Sequence, residues 1–314
     1  MKATARFLAA AGVLALLATT PPANAATPML LPDLRQAPVG CTGGWRGNPV
    51  DCKDWDVCMV TDTNAPNAPC VTSGDIKAVR LRFTTSEENI GDGPLLFYAH
   101  RSSTLLPTMS VRQAFQNGVH GSIPDSFRTA QKPSGTSAYY EPAPAHMHWH
   151  LLNFERFQLR TLTGSAVVSD RKNGFCLGDR YDVADKTSLQ HRVHEDDEPE
   201  AKLHQFLIYN MCQHQQPDAT DVTEGISVGS GDDYRYNVDF QWLDITSVSS
   251  GVYDVVNTVN PDRTLIEKDY TNDSSSIAVS IQWPGAAKGA PSKITAPPAV
   301  RLLRSCPGSE TCSG

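Results

Sequence analysis

The feature that most constrains this chain is the placement of its 8 cysteines, the first of which is Cys41, behind an N-terminal leader. Lys2 and Arg6 precede the apolar run Phe7 to Leu17, and the small residues Ala23-Asn24-Ala25 follow. This is the pattern of a secretory signal peptide, so residues 1–25 are expected to be cleaved near Ala25 and the remainder secreted. An oxidising destination favours disulfides, which fix loops that a small core alone would not hold. Cys41, Cys52, Cys58 and Cys70 cluster, Cys306 and Cys312 close a short C-terminal loop, and Cys176 and Cys212 are left as the remaining pair. Spacing does not fix that connectivity. The first cluster matches no common short-spaced zinc ribbon or finger.

The composition, 40% apolar and 19% charged, is that of a globular protein. A formal net charge of -7 with no Lys/Arg cluster argues against a nucleic-acid partner, since gripping phosphates needs clustered cations. The acidic run Glu195-Asp196-Asp197-Glu198 with Glu200 reads as a solvated loop. After the leader, no apolar stretch is long enough for a membrane span, and nothing implies an oligomer.

Residues 26–75 read as a Cys/Pro-rich entry segment packed on the core, and residues 76–314 as the main domain, one domain overall. Val79, Leu81 and Phe83 alternate with Arg80 and Arg82, which predicts a half-buried strand. Ser110 three residues before Gln113, with Gly118 as a stop, predicts a short helix over 111–117. Tyr234, Tyr236, Val238, Phe240 and Trp242 alternate as one strand; Val252 to Val259 and Ile277 to Trp283 predict two more. Pro199 with Leu203, Phe206 and Leu207 predicts a helix. The fold class expected is mainly β: an antiparallel sandwich-like core with a few short helices and long disulfide-stapled loops.

The sharpest chemical feature is His146-Met147-His148-Trp149-His150, three of the 9 histidines at alternate positions. On a strand they share one face, and a twist or bend converges them on one metal ion. Three imidazoles suit Zn, Cu, Fe or Ni, with Cu bound most tightly among divalent ions. The apolar parity switches between Phe154 and Phe157, which predicts a β-bulge beyond the histidines.

The histidine segment resembles the copper-binding motif of the lysyl oxidase catalytic domain. Arg171-Lys172-Asn173-Gly174-Phe175-Cys176-Leu177-Gly178-Asp179 is similar to that family's segment around its cofactor-forming lysine. Asp233-Tyr234-Arg235-Tyr236-Asn237-Val238-Asp239-Phe240-Gln241-Trp242 is similar to the segment around its cofactor-forming tyrosine, aligned with Tyr234. The resemblance implies copper held by His146, His148 and His150, and a lysyl tyrosylquinone made from Lys172 and Tyr234. It implies oxidative deamination of lysine side chains in peptides or proteins, or of small primary amines, to aldehydes. Molecular oxygen is the oxidant, and hydrogen peroxide and ammonia are released. It also matches Cys176 and Cys212 to a bridged pair, whereas Phe240 stands where the family has another cysteine.

The same resemblance implies calcium bound by Glu267, Asp269, Asn272 and Asp273, with Asp33 and Leu34 as the N-terminal contribution; oxygen-rich ligands of this kind suit that ion. The sequence departs from the animal pattern after the third histidine, where Leu151-Leu152-Asn153-Phe154-Glu155 leaves Glu155 as the candidate base. It departs again at 183–230, a longer and more acidic segment containing His191, His194, His204 and His214, to which no metal role is given. Two rival readings are a cupin-like metalloenzyme, from His148-Trp149-His150 followed by Glu155, and a secreted copper binder without enzymatic activity.

Overall fold

A computed structural model describes residues 28–45, 51–170, 174–194 and 198–312. The expected leader, Lys172 and the acids 195–197 lie outside the described residues. In chain order the strands begin with β1 (Met29–Leu30), β2 (Leu34–Gln36), β3 (Trp55–Val60), β4 (Ala78–Phe83), β5 (Thr85–Asn89) and β6 (Leu95–His100). They continue with β7 (Thr108–Ala114), β8 (Gln116–Asn117), β9 (Lys132–Glu141), β10 (His148–Leu151), β11 (Glu155–Thr161), β12 (Ala166–Asp170) and β13 (Tyr181–Asp182). The helix α1 (Glu200–Ile208) precedes β14 (Asp221–Ile226), β15 (Ser230–Tyr234), β16 (Trp242–Asp244), β17 (Gly251–Val259), β18 (Ser274–Gln282) and β19 (Ala299–Cys306).

The strands form two five-stranded sheets, β10-β9-β7-β6-β14 and β12-β11-β17-β18-β19, with smaller sheets β13-β15-β5-β2, β16-β4-β3 and β1-β8. The strand pairings are antiparallel, as a mainly-β chain with alternating strands requires. The two larger sheets contribute to one core: Phe97, Met109 and Trp149 from the first, Phe157, Val255 and Ile277 from the second. Phe83 meets Phe157 edge to face at 5.0 Å. Each such buried side chain stabilises the fold by about 1.5–3 kcal/mol.

The cysteines pair as Cys41–Cys52, Cys58–Cys70, Cys176–Cys212 and Cys306–Cys312. That consumes the first cluster and removes the zinc alternative.

Three local expectations are corrected. Residues 111–117 are strand: Met109 and Val111 alternate inward, and β7 pairs with both β6 and β9, so tertiary pairing overrides the capping spacing. The alternating run after Tyr234 is two strands, because 235–241 turn and Phe240 adopts a φ of 64°. The turn shifts the parity, so Leu243 and Ile245 enter the core while Trp242 stacks under Arg80 at 4.0 Å. Arg80 is accordingly buried, with its guanidinium donating to the carbonyls of Ala65 and Thr63. The parity change near Phe154 is a crossing between sheets and no bulge: β10 ends at Leu151, Asn153 takes a φ of 57°, and β11 begins in the other large sheet. α1 forms where expected, although Phe206 faces outward.

Candidate metal centre

His148 and His150 lie on β10, paired opposite Glu141 and Tyr139. His146 precedes the strand, in a turn whose His146 and Met147 amides donate to the Ala143 carbonyl at 2.8 and 3.1 Å. Met147 takes a φ of 49°. This left-handed residue bends the chain, and the bend brings the first imidazole in beside the other two. The intervening Trp149 points to the opposite face, into the core, where its indole N–H donates to the Gln216 carbonyl at 3.1 Å.

His148 Nε2 lies 3.3 Å from His146 Nδ1 and 2.8 Å from His150 Nε2. One ligand nitrogen from each ring falls within 4.8 Å of the others, the tightest set of its kind among the described residues. An ion about 2 Å from each nitrogen would account for such spacing. The rings are 2%, 8% and 1% exposed for His146, His148 and His150, so His148 is the one that solvent reaches. His146 uses Nδ1 inward and turns Nε2 to the buried Asp239, whose Oδ2 lies 3.8 Å away. A carboxylate behind a ligating histidine fixes ring orientation and raises ligand basicity.

Tyr234 closes one side of the cluster. Its ring stacks against His146 at 6.1 Å and meets Phe175 edge to face at 4.8 Å. Its hydroxyl accepts from the Cys176 amide at 2.7 Å. The chain from Gly174 onward is pinned to β10: Leu151 and Phe175 exchange both backbone hydrogen bonds, at 2.8 and 3.1 Å. Gly174 has a φ of 133°, and a Cβ there would lie 2.7 Å from the His150 Cβ, so only glycine allows this approach. Thus Tyr234 is held against the segment that begins two residues after Lys172, which lies outside the described residues.

Buried acids surround the phenol. Burial, then the charges of Asp232 and Glu224, push the Tyr234 phenol well up, which keeps it protonated at neutral pH. Burial pushes Asp232 up to about 7 against the pull of Arg180. Its carboxylate accepts from the amides of Gly178 and Asp233 at 3.2 and 2.8 Å. Glu224 is pushed up chiefly by burial while accepting from the Leu177 amide at 3.2 Å. Reading alternation alone missed Asp232, Glu224 and Asp239. The only sequence signal was the acid-rich run flanking Tyr234, and Glu224 gave none.

Glu155, the expected base, is fully buried at the head of β11 opposite Val259. The acidic set is partly gathered. The Leu34 amide donates to Glu267 Oε2 at 2.8 Å, and Asn272 Nδ2 donates to Asp33 Oδ1 at 2.8 Å. Burial, followed by the charges of Glu267 and Asp33, pushes Asp273 up to about 9. Glu267 rises to about 7, chiefly through burial. Asp269 lies at the surface, accepting from the Thr271 amide at 2.8 Å, and its charge adds to the rise of Asp33, Glu267 and Asp273. Of the later histidines, His204 is engaged by Asp179 at 2.6 Å, and only His214 approaches the cluster, its ring 6.4 Å from that of His148.

No helix of the described residues is long and apolar enough to cross a membrane. Residues 181–286, which include Tyr234 but neither the histidines nor Lys172, match the sequence model of the lysyl oxidase family. Lysyl oxidase homolog 2 of Xenopus laevis is 34% identical over 130 residues, covering 41% of this chain and 14% of the relative. Lysyl oxidase homolog 4 of Homo sapiens is 32% identical over 129 residues, again 41% and 14%. Lysyl oxidase homolog 2 of Gallus gallus is 29% identical over 160 residues, covering 51% and 17%. The matched stretch is therefore less than a fifth of each of these relatives. Over residues 181–286 the chain is therefore similar to the lysyl oxidase family.

Proposed function

We propose that the chain is a copper amine oxidase of lysyl oxidase type, secreted after cleavage near Ala25, with one catalytic domain over 76–314 to which the stapled segment 26–75 is an appendage. The observation that carries this reading is the convergence of His146 Nδ1, His148 Nε2 and His150 Nε2 beside a Tyr234 ring stacked on His146. The overall reaction converts a primary amine, O2 and water into an aldehyde, ammonia and hydrogen peroxide.

The donor set fits copper, since three neutral nitrogens in a buried pocket suit that ion. His146, His148 and His150 would hold it, Lys172 and Tyr234 would be the precursors of the lysyl tyrosylquinone, and that group would supply an electrophilic carbonyl for amine oxidation by O2. The remaining work falls to the chain. The Cys176 amide orients the Tyr234 oxygen, Asp239 orients His146, and Phe154 and Phe175, packed together at 5.4 Å, exclude water from one side. Proton abstraction next to the amine needs a base with a pKa near the working pH. Glu155 and Asp232 are the candidates, and the one that serves loses kcat as its amide variant while copper is retained. A calcium ion held by Asp33, Leu34, Glu267, Asp269, Asn272 and Asp273 would relieve the crowding of buried carboxyls that raises Asp273 and Glu267.

The test is expression of the secreted chain with copper in air, followed by assay of peroxide release from lysine peptides and simple amines. Stoichiometric copper with amine-dependent peroxide is expected. Copper without peroxide and without a redox-cycling stain would leave only a metal binder.

A further inference from the structure

The end of α1 carries an apolar cluster that the fold leaves outside its core. Phe206, Tyr209 and Met211 are 49%, 77% and 53% exposed, three large side chains within six residues. They line one open groove of about 540 Å³ together with His214, Gln216 and Asp221. No lysine or arginine lines it, and its one carboxylate, Asp221, lies 2.8 Å from His100 Nδ1.

One wall of the groove neighbours the metal centre. His214 lies at its wall, with its ring 6.4 Å from His148, the most exposed of the three imidazoles. The loop bearing His214 is stitched to the histidine segment. Cys212 is bridged to Cys176, its carbonyl accepts from the Trp149 amide at 2.9 Å, and the Gln215 amide donates to the Met147 carbonyl at 2.7 Å. Cys212, Gln213 and Gln215 adopt φ values of 45°, 56° and 59°. Such left-handed conformations persist in non-glycine residues where the surrounding contacts hold them, and they concentrate at ligand clamps and active sites.

We propose that this groove is the docking surface for the substrate, and that its occupant is a polypeptide segment presenting a lysine beside apolar side chains. The proposal rests on the amine-oxidase reading. Exposed aromatic and methionine side chains around a concave surface are what peptide recognition uses. The groove is far larger than a lysine side chain alone requires, so the exposed apolar residues have flanking side chains to meet. A groove wall without lysine or arginine and a net charge of -7 favour a cationic partner.

The test measures binding by fluorescence anisotropy of a labelled peptide, a single lysine flanked by Leu and Phe, on the full chain with and without copper. The variants are Phe206→Ser/Tyr209→Ser/Met211→Ser, the single Tyr209→Ser, and Leu303→Ser on β19 as an exposed control elsewhere. The triple variant is expected to weaken binding about tenfold or more and the single variant about threefold, with Leu303→Ser at the wild-type value. A peptide with Ser in place of Leu and Phe should bind the wild type as weakly as the original binds the triple variant. Circular dichroism checks the fold of the triple variant, and the single substitution stands independently. Unchanged affinity in both variants overturns the proposal. Because binding needs no turnover, groove-dependent binding without peroxide sinks the oxidase reading and keeps the docking surface. Peroxide release from the peptide with unchanged kcat/KM in the triple variant does the reverse.

Discussion

The imidazole cluster and the acidic set at Asp33 and 267–273 are built in opposite ways. The imidazole cluster comes from five consecutive residues, uses neutral ligands and is preformed by one left-handed residue and one strand. The acidic set joins Asp33 and Leu34 to the loop 267–273, across sequence separations of 233 for the Leu34–Glu267 bond and 239 for the Asp33–Asn272 bond. Burial, with the repulsion of neighbouring carboxylates added to it, raises the pKa values of Asp33, Glu267 and Asp273. The imidazole cluster is set by local backbone geometry, whereas the acidic set depends on packing between the entry segment and the C-terminal sheet.

The largest effect expected is at the local site. His148→Ala should abolish peroxide release and reduce copper affinity, measured by chelator competition, by more than the about 10–100-fold that loss of an outer-shell partner costs. Tyr234→Phe should abolish peroxide release equally while copper content stays at the wild-type value; joint loss of both would make Tyr234 part of the metal site instead. Asp239→Asn should weaken copper binding about 10–100-fold with the fold intact, because the amide no longer polarises His146. Saturating calcium should raise the melting temperature by about 2–8 °C, from roughly 1–3 kcal/mol of linkage, and Glu267→Gln should remove that gain. The smallest effect concerns Asp232. Its carboxyl is raised from 3.8 to about 7 by burial, so the folded state binds its proton more tightly than the unfolded state does. That contribution to stability is fully present below about pH 4 and is lost as pH rises through about 7. Asp232→Asn should therefore flatten the decline in melting temperature between pH 5 and pH 8.

The same contrast explains what was legible in the sequence. His146, His148 and His150 are readable because period-two spacing on a strand is itself a geometric statement. Strand β18 was legible for the same reason, through Ile277, Val279 and Ile281, and β17 through its richness in β-branched residues. Residues 111–117 were misread because a capping spacing is local information, while the pairing of β7 between β6 and β9 is not. The run from Tyr234 to Trp242 failed where a turn at Phe240, φ 64°, reversed the parity that alternation assumes. Glu224 on β14 and Asp239 in the turn after β15 gained meaning only when the fold brought them beside Tyr234 and His146, a meeting of distant segments that no spacing encodes. The acidic set was visible only through resemblance, since its two halves are separated by most of the chain.

The most direct test of the central claim is peptide mass spectrometry of the copper-loaded, aerated protein after proteolysis. The account predicts a single cross-linked species joining the Lys172 and Tyr234 peptides, absent from Tyr234→Phe and from protein kept without copper. Full recovery of both peptides, separate and unmodified, from protein that holds stoichiometric copper would contradict it.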